Sequence, residues 1–294
     1  MNKIALVAGA RTTSSRLPNK VLYDLGGKPA FIQVIERITS VVKADYVVVA
    51  CTEDIRDDPI ELFAKQYGID CFRGPDSLQM RYRMAGDKLN LKDDDIFLFP
   101  GCDSVLAEYQ HLPWMIEQME KNDCCGCYIN IPEGTLLNSF FPFFEVAVWR
   151  YERLRLVKMY AVGSNTFCLQ SYQVGCPKTL IVNFPPEYLV PCSWGLMSLD
   201  YPPQAVVIKE IYRQLYKGSP IGIFDVCDLF KRNPFLVDIV PRNLQHTDKI
   251  SQDITTIVQS VKLNTDFVEV NWKGDNDVKL KVPEEYESKQ KLGG

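Results

Sequence analysis

The sequence predicts an α/β fold in which a mostly parallel sheet is flanked by helices. Short apolar runs alternate with longer stretches of helical spacing over roughly the first 200 residues, the pattern of parallel strands joined by crossover helices. The chain has 294 residues, of which 46% are hydrophobic and 24% charged. A chain of this length and composition buries a large core without support from disulfides or metal ions.

Each predicted element has a local reason. Ile4–Ala8 is a short apolar run that predicts a buried strand. Pro29 then opens a helix, because proline is well tolerated in a first helical turn. Apolar residues at helical spacing form one face of that helix: Phe31, Ile32, Ile35 and Ile38. The remaining predicted elements are strands at Tyr46–Cys51, Asp70–Phe72 and Ile96–Phe99, and helices from Asp57 to about Tyr67 and over His111–Glu120, Gln204–Tyr216 and Asp225–Lys231.

The sequence divides into a main domain, residues 1–243, and a C-terminal extension, residues 244–294. Within the main domain, residues 124–186 are aromatic-rich and lack a helical period, so we expect a small β-rich insertion on the acceptor side. The extension loses the α/β rhythm and ends in a charged segment, which predicts a peripheral or partly disordered tail.

The charge balance argues against nucleic acid and membranes as partners. There are 33 Lys and Arg against 37 Asp and Glu, a formal net charge of −4, and no Lys/Arg cluster.

No apolar run approaches the roughly 20 residues that span a bilayer, and the first ten residues do not resemble a signal peptide. Ten cysteines are scattered through the long chain, which favours free thiols. We therefore expect a cytoplasmic protein.

The segment that follows the first strand is the strongest indication of chemistry. From Gly9 to Lys20 it combines small hydroxyl residues with Arg11, Arg16 and Lys20, and Lys28 follows. A loop that leaves the carboxyl end of a strand offers backbone N–H groups to an anion, and hydroxyls and cations add donors. The alternative is a solvated basic loop without a ligand. Neither the Walker pattern nor the glycine pattern of a dinucleotide site is present.

The segment from Ala10 to Lys20, continued by Val21 to Pro29, resembles the opening of the cytidylyltransferases that activate acidic sugars, such as the 3-deoxy-manno-octulosonate and N-acylneuraminate enzymes. The spore-coat-polysaccharide type is the branch that it resembles most. Further matching segments follow in order: Cys71–Gly74 with Arg81-Tyr82, Ser193-Trp194 with Asp200–Pro202, and Tyr212–Lys217 with Asn233-Pro234. The resemblance implies a glycosyltransferase-A-like, Rossmann-like fold, CTP as donor, Mg²⁺ as cofactor, a homodimer and release of pyrophosphate.

Carried over by position, the resemblance assigns the CTP phosphates to Arg11, Ser14, Arg16 and Lys20, and the base and ribose to Arg81 and Tyr82. The expected nucleotide-binding set is Ala8, Gly9, Ala10, Arg11, Ser14, Ser15, Arg16, Lys20, Arg81 and Tyr82. Cations beside the leaving pyrophosphate lower the barrier to attack at phosphorus, so Arg16 and Lys20 are also candidate catalytic residues. For Arg81 the alternative is a charge on the surface of a helix.

Asp103 and Asp200 are the candidate Mg²⁺ ligands and complete the candidate catalytic set. Both follow apolar runs, and the resemblance places both beside the phosphates. The family usually has its acid directly after a glycine, whereas Gly101-Cys102-Asp103-Ser104 has it one residue later. Either the loop compensates or the metal site is altered. Helix capping or a surface position is the alternative role for each aspartate.

The acceptor side gives weaker indications. Glu145 aligns with a family acid near the sugar, but an exposed strand position explains it equally well, and a family motif expected downstream is missing. His111 and His246 lie beside no motif, so a histidine base is not expected. Cys124-Cys125-Gly126-Cys127 lacks a second pair of zinc ligands, which favours buried thiols.

These observations predict transfer of CMP from CTP to an anionic small-molecule acceptor, either an acidic sugar or a phosphorylated or phosphonate metabolite, in the synthesis of surface glycans or modified metabolites. Two alternatives stay open. One is a guanylyl- or uridylyltransferase for a sugar-1-phosphate. The other is a nucleotide-binding homologue without turnover, which the position of Asp103 suggests.

Overall fold

A computed structural model describes residues 2–130, 148–156, 178–183, 198–241 and 266–271. It confirms the predicted α/β class, since parallel strands dominate the main sheet and helices cover both of its faces. Strand β1, Ile4–Gly9, lies in the sheet interior. It pairs in parallel with β4 (Tyr46–Thr52) on one side and with β6 (Ile96–Leu98) on the other. Its apolar run is what a strand buried on both faces requires.

The described strands form one large sheet and one short hairpin. The sheet strands are β1 (Ile4–Gly9), β4 (Tyr46–Thr52), β5 (Asp70–Gly74), β6 (Ile96–Leu98), β7 (Gly126–Asn130), β8 (Val148–Arg150), β9 (Lys178–Asn183) and β10 (Asp266–Asn271), in the order β10-β9-β7-β8-β6-β1-β4-β5. Strand β8 is antiparallel to both neighbours. The hairpin strands are β2 (Asp24–Leu25) and β3 (Lys28–Pro29).

Five of the described helices lie where the sequence predicts them, and the helices at Leu78–Lys88, Tyr151–Leu156 and Phe235–Asp238 were not predicted. The described helices are α1 (Ala30–Thr39), α2 (Asp58–Gln66), α3 (Leu78–Lys88), α4 (Leu112–Lys121), α5 (Tyr151–Leu156), α6 (Pro202–Leu215), α7 (Ile223–Arg232) and α8 (Phe235–Asp238). Short 3₁₀ turns at Lys20–Leu22 and Ile55–Asp57 precede β2 and α2. None of the described helices is long and apolar enough to cross a membrane.

Side chains of β1 alternate between two buried layers, as the twofold period of a strand requires. Leu6 and Ala8 face a large core shared with α1, α4, α6 and α7, whereas Ala5 and Val7 face a smaller aromatic core under α3 and α5. Phe97 and Trp149 are fully buried in the second layer. The sheet is therefore covered on both faces, and its carboxyl edge is left for the site.

The described parts of the expected insertion do not form a separate layer. Strands β7, β8 and β9 belong to the main sheet, and β7 pairs in parallel with β9. Within the C-terminal extension, β10 pairs in parallel with β9 at the edge of the same sheet. This segment is peripheral, as expected, but it is a regular strand. Its alternation of half-buried and exposed residues is typical of an edge strand.

Candidate functional site

The candidate site lies at the edge where parallel strands β1, β4, β5 and β6 end, because ligands of open α/β sheets bind outside the carboxyl ends of strands. Residues Ala10–Lys20 leave β1 at this edge, and we call them the β1 loop. The loop after β6 leaves the same edge, and Gly101 in it forms a parallel bridge with Gly9 at the end of β1. Two of the segments that the sequence singled out are therefore neighbours.

Four predicted residues meet at this edge. The ammonium Nζ of Lys20 donates to Oδ2 of Asp103 and, over 2.7 Å, to Oδ1 of Asp200. The guanidinium Nη2 of Arg16 donates to the same Asp200 oxygen over 2.7 Å, and its plane lies 5.1 Å from the ring centre of Tyr201. We call Arg16, Lys20, Asp103 and Asp200 the charged cluster. Its members come from three segments that are distant in the sequence.

Two residues that the sequence analysis missed hold Asp200 in place. The side-chain oxygen of Gln204 accepts hydrogen bonds from the backbone N–H groups of Asp200 and Tyr201, over 3.1 and 2.9 Å. Ser198 Oγ donates to the second carboxylate oxygen of Asp200 over 3.1 Å. A glutamine at the third position of a helix, which reaches back to the residue before it, is half of a capping box. That pattern was available in the sequence as the signal for Gln204.

The opposite charges of the cluster keep each other ionised although the side chains are partly buried. Burial disfavours the ammonium of Lys20, but Asp103 and Asp200 outweigh it and raise the pKa of Lys20. Burial likewise opposes the charge of Asp200, but Lys20 and Arg16 outweigh it and lower the pKa of this carboxyl group. Both groups therefore stay charged at neutral pH, in surroundings where electrostatic interactions exceed those in water.

The displaced acid reaches the cluster. Cys102 is buried, and the side chain of Asp103, on the next residue, meets Lys20. The backbone carbonyl of Asp103 accepts a hydrogen bond from the N–H of Leu199 over 2.8 Å, which joins this loop to the segment that carries Asp200. The side chain of Asp103 therefore meets Lys20 from its shifted position, and its equivalence to the family acid stays a prediction.

The other expected nucleotide-binding residues of this region lie at the end of β1 or in the β1 loop. Ala8 and Ala10 are buried in the strand end, and Ser15 is exposed. Ser14 Oγ accepts a hydrogen bond from the N–H of Leu17 over 3.4 Å. Arg11 points away from the cluster, where its Nη1 pairs with Asp76 over 3.2 Å. The structure therefore brings Arg16 and Lys20 to the carboxylates but places Arg11 on the other side of the loop.

Arg81 and Tyr82 are buried, so Arg81 is not the surface charge that was the alternative for it. Arg81 has an exposed fraction of 1%. Its Nε donates to the carbonyl of Ala50 over 3.2 Å, and its Nη1 donates to the carbonyls of Pro75 and Asp76 over 2.8 and 3.1 Å. Tyr82 packs against Gly9 and edge-on against Phe97. These contacts show Arg81 bound to the backbone at the ends of β4 and β5, and direct contact with base or ribose stays a prediction.

The remaining predictions have mixed outcomes. Glu145 lies outside the described residues. His111 is buried, and burial lowers its pKa to about 3, which agrees with the expectation that it is no base. Cys124 and Cys127 are free buried thiols as expected. Cys125 is disulfide-bonded, so the expectation of free thiols is wrong for this residue.

Within the described part of the chain, no group of three or more His, Cys, Asp or Glu side chains is arranged to hold a metal ion.

Comparison with known proteins gives a family match for the first part of the chain. The family model of the cytidylyltransferases matches residues 4–129, which include the β1 loop and Asp103. The chain is 36% identical over 116 residues to the 3-deoxy-manno-octulosonate cytidylyltransferase of Francisella tularensis, which is 38% of this chain and 44% of that protein.

A second relative is the 8-amino-3,8-dideoxy-manno-octulosonate cytidylyltransferase of Shewanella frigidimarina, 28% identical over 123 residues, 41% of this chain and 49% of that protein. The chain thus spans less than half the length of these curated relatives. Both relatives are named octulosonate cytidylyltransferases, and the spore-coat branch stays a prediction for this chain.

Solved structures extend the likeness of fold beyond the matched residues. A cytidylyltransferase from Leptospira borgpetersenii has a TM-score of 0.62 at 20% identity, and the match covers 81% of this chain and 97% of that one. A CMP:2-keto-3-deoxy-manno-octonic acid synthetase complexed with CTP has a TM-score of 0.53 at 17% identity, over 72% and 99% of the two chains. At these identities the match establishes the shared Rossmann-like fold.

Proposed function

We propose that this protein transfers CMP from CTP to an anionic small-molecule acceptor and releases pyrophosphate. The observation that carries the proposal is the charged cluster, in which Arg16 and Lys20 of the β1 loop meet Asp103 and Asp200 at the carboxyl edge of the sheet. Two curated relatives of the chain are named cytidylyltransferases, and one structure of the same fold was solved with CTP.

The reaction that we propose is a displacement at the α-phosphorus of CTP. An acceptor oxygen forms the new bond to that phosphorus, the bond to the oxygen bridging to the β-phosphate breaks, and its electron pair leaves with pyrophosphate. Negative charge therefore grows on the leaving group. Arg16 and Lys20 supply fixed positive charge at the loop that is expected to hold the phosphates, so they stabilise the transition state by position and electrostatics.

The donor set of the cluster fits Mg²⁺. Asp103 and Asp200 offer hard carboxylate oxygens, and Mg²⁺ in phosphate sites takes one or two carboxylates together with phosphate oxygens and water. In the cluster two positive side chains balance two negative ones, so a bound triphosphate would leave the site with a net charge of about four negative units. When bound, Mg²⁺ would offset part of this charge and polarise the phosphate. We propose Asp103 and Asp200 as the residues that hold it.

The acceptor is proposed by analogy with the relatives, whose names give 3-deoxy-manno-octulosonate and its 8-amino-3,8-dideoxy form as substrates. An acidic 2-keto sugar attacks through its anomeric hydroxyl and gives a product with one phosphorus. A sugar phosphate or phosphonate attacks through an oxygen that is already ionised and gives a product with two. Glu145 is the proposed acceptor residue.

Further parts of the proposal rest on the family resemblance. We propose that the protein acts as a homodimer in the cytoplasm, in the synthesis of a surface glycan or a modified metabolite.

A nucleotide and acceptor screen tests the proposed function. Pyrophosphate release is measured with CTP, UTP, GTP or ATP, with and without Mg²⁺, against 3-deoxy-manno-octulosonate, its 8-amino form, N-acylneuraminate and a sugar-1-phosphate. We expect release with CTP and Mg²⁺ for one acidic acceptor, and mass spectrometry of the product counts its phosphorus atoms.

The control for the screen is a pair of variants that remove the same charge. Lys20→Met changes the cluster, and Lys231→Met changes an exposed lysine of α7 that lies 3.5 Å from Asp228. We expect loss of release for the first variant alone. A preference for UTP or GTP would move the assignment to a sugar-1-phosphate nucleotidyltransferase. Nucleotide binding without release for every acceptor would indicate a homologue without turnover.

A further inference from the structure

We propose that Asp57 is a positioning residue for the β1 loop, which it fixes through Thr12 so that Arg16 and Lys20 are held at the phosphate site. The inference rests on the proposed function for its kinetic consequence, but its structural part stands on hydrogen bonds alone. The sequence predicted Asp57 as the residue before helix α2, and it does occupy that place, but its side chain makes no capping hydrogen bond there.

The carboxylate of Asp57 is fully buried and accepts hydrogen bonds from two threonines of different segments. Oδ1 accepts from the N–H of Thr12 over 2.8 Å and from its hydroxyl over 2.7 Å. Oδ2 accepts from the N–H of Thr52 over 2.9 Å and from its hydroxyl over 2.5 Å. A charged acceptor strengthens such hydrogen bonds, and burial shields them from water.

Thr52 and Asp57 belong to the rigid frame. Thr52 is the last residue of β4, which pairs with β1 along its length. The N–H of Asp57 donates to the carbonyl of Asp54 within the 3₁₀ turn over 2.9 Å. The carboxylate therefore connects the end of the sheet and the start of α2 to one residue of the β1 loop.

Thr12 is the point at which the β1 loop closes. Its carbonyl accepts a hydrogen bond from the N–H of Asn19 over 2.9 Å, so residues 12–19 form a closed ring. Asn19 is in the left-handed region with a φ of 58°, where asparagine is tolerated better than most residues. Arg16 is one of the residues that form this ring, and Lys20 is the first residue after the ring. Fixing Thr12 therefore fixes both ends of the segment that carries the two cations.

The other anchor of the loop is two residues before Thr12. The N–H of Ala10 donates to the carbonyl of Ala50 over 3.0 Å, which continues the strand pairing by one step. That bond holds the start of the loop against β4, and Leu17 of the ring is buried in the core. Asp57 supplies a hydrogen-bonded anchor at Thr12, where the ring closes, so it helps to set the direction in which Arg16 and Lys20 extend. Misplacement of a catalytic group by about 1 Å costs up to roughly 100-fold in rate.

The first test is amide hydrogen exchange of the full-length, nucleotide-free protein. Asp57→Asn replaces one acceptor oxygen with an NH₂ group, which cannot accept from the N–H and hydroxyl donors of the threonine that it faces. The matched control is Asp58→Asn, the same change at the next residue, whose carboxylate pairs with Arg73 near the surface. We expect faster exchange in peptides covering residues 10–20 for Asp57→Asn alone, with exchange of β1 and β6 unchanged.

The second test is kinetic, at a temperature where all variants are folded. We expect Asp57→Asn to lower kcat/KM for CTP by roughly 10- to 100-fold, through a higher KM and a lower kcat, whereas Asp58→Asn stays within about twofold. Thr12→Val removes the hydroxyl and Thr12→Ser keeps it, so we expect a defect in the first variant and rescue in the second. The Thr12 pair leaves Asp57 and its bonds to Thr52 intact, so it also serves if Asp57→Asn does not fold.

Two results would overturn the inference. One is equal exchange of residues 10–20 in the Asp57→Asn, Thr12→Val and control proteins. The other is a loosened loop with unchanged kcat and KM for CTP, which would make Asp57 a purely structural residue. If the unmodified protein turns over no nucleotide, the proposed function fails, while the exchange experiment still decides whether Asp57 anchors the loop.

Discussion

The β1 loop and helix α3 lie next to each other at the carboxyl edge of the sheet, and both carry basic residues that the family resemblance assigns to CTP. In the loop, Arg16 and Lys20 extend to the carboxylates of the charged cluster. In the helix, Arg81 is buried and donates to backbone carbonyls at the ends of β4 and β5. One arginine faces the place where the phosphates are proposed to bind, and the other supports the frame behind it.

The difference between Arg16 and Arg81 shows that a basic residue at a family motif position does not always face the ligand. A basic residue has several N–H donors, and the backbone accepts them as readily as a phosphate does. Arg16 lies in a loop beyond the end of β1, and its guanidinium donates to the carboxylate of Asp200 rather than to carbonyls of the sheet. Arg81 lies inside a helix that packs on the sheet, so the carbonyls of the strand ends reach it first. Burial, which a motif does not report, separates the two roles.

The largest effect is expected for the loop. Lys20→Met should lower kcat/KM for CTP by about 10²- to 10³-fold, since it removes a positive charge beside the leaving phosphates. Measurement of steady-state kinetics checks this, with Lys231→Met as the matched control. Retention of full turnover would break the comparison, because Lys20 would then be an ordinary structural ion pair.

A smaller effect of a different kind is expected for the helix. Arg81→Met should lower the free energy of unfolding by about 2–3 kcal/mol, because it removes a buried group that donates to three carbonyls. Its kcat/KM per folded molecule should change far less than that of Lys20→Met. Urea unfolding and kinetics on the same samples check both statements. Unchanged stability with lost turnover would place Arg81 on the nucleotide instead.

Contact between the two regions predicts a third effect. A β-carbon on Gly9 would lie 2.6 Å from Cδ1 of Leu78 and 2.9 Å from Cζ of Tyr82, so Gly9→Ala forces α3 away from β1. We expect a loss of about 1–2 kcal/mol in the free energy of unfolding. Gly222→Ala is the control, since its β-carbon meets a flexible side chain at 3.2 Å. Equal stability of the two variants would show that α3 is not tightly packed on the loop.

The smallest effect is expected for Arg11, which belongs to the loop but pairs with exposed Asp76. Arg11→Ala should change the free energy of unfolding by less than about 0.5 kcal/mol, because exposed ion pairs contribute little. Its affinity for CTP should fall less than about tenfold. Calorimetric titration checks the affinity, and a loss as large as that of Lys20→Met would move Arg11 into the cluster.

The elements of the fold were largely predictable, because their apolar periods are local. The strands at Ile4 and Tyr46 and the helix after Pro29 lie where the residues predict them. The convergence of Arg16, Lys20, Asp103 and Asp200 was expected from the family resemblance. The contact of the shifted Asp103 with Lys20 could not be predicted, because it depends on how one loop turns.

Residues whose role depends on distant partners were missed. Asp57 has the sequence of an N-cap, and only the tertiary structure brings Thr12 and Thr52 to its carboxylate. Arg81 has the spacing of a helix surface, and its burial follows from strand ends that the sequence does not place. Strand β10 could not be predicted, because its partner β9 is more than eighty residues away in the chain.

The most direct test of the central claim is the stabilisation of the folded protein by nucleotides. Thermal unfolding is measured with CTP, UTP, GTP and ATP, with and without Mg²⁺, for the unmodified protein and for Lys20→Met. A ligand at 100 times its Kd adds about 2.7 kcal/mol to the free energy of unfolding. We predict an increase in Tm with CTP that Mg²⁺ enlarges and that Lys20→Met abolishes. No increase with any nucleotide, or an equal increase in the variant, would contradict a nucleotide site built on the β1 loop.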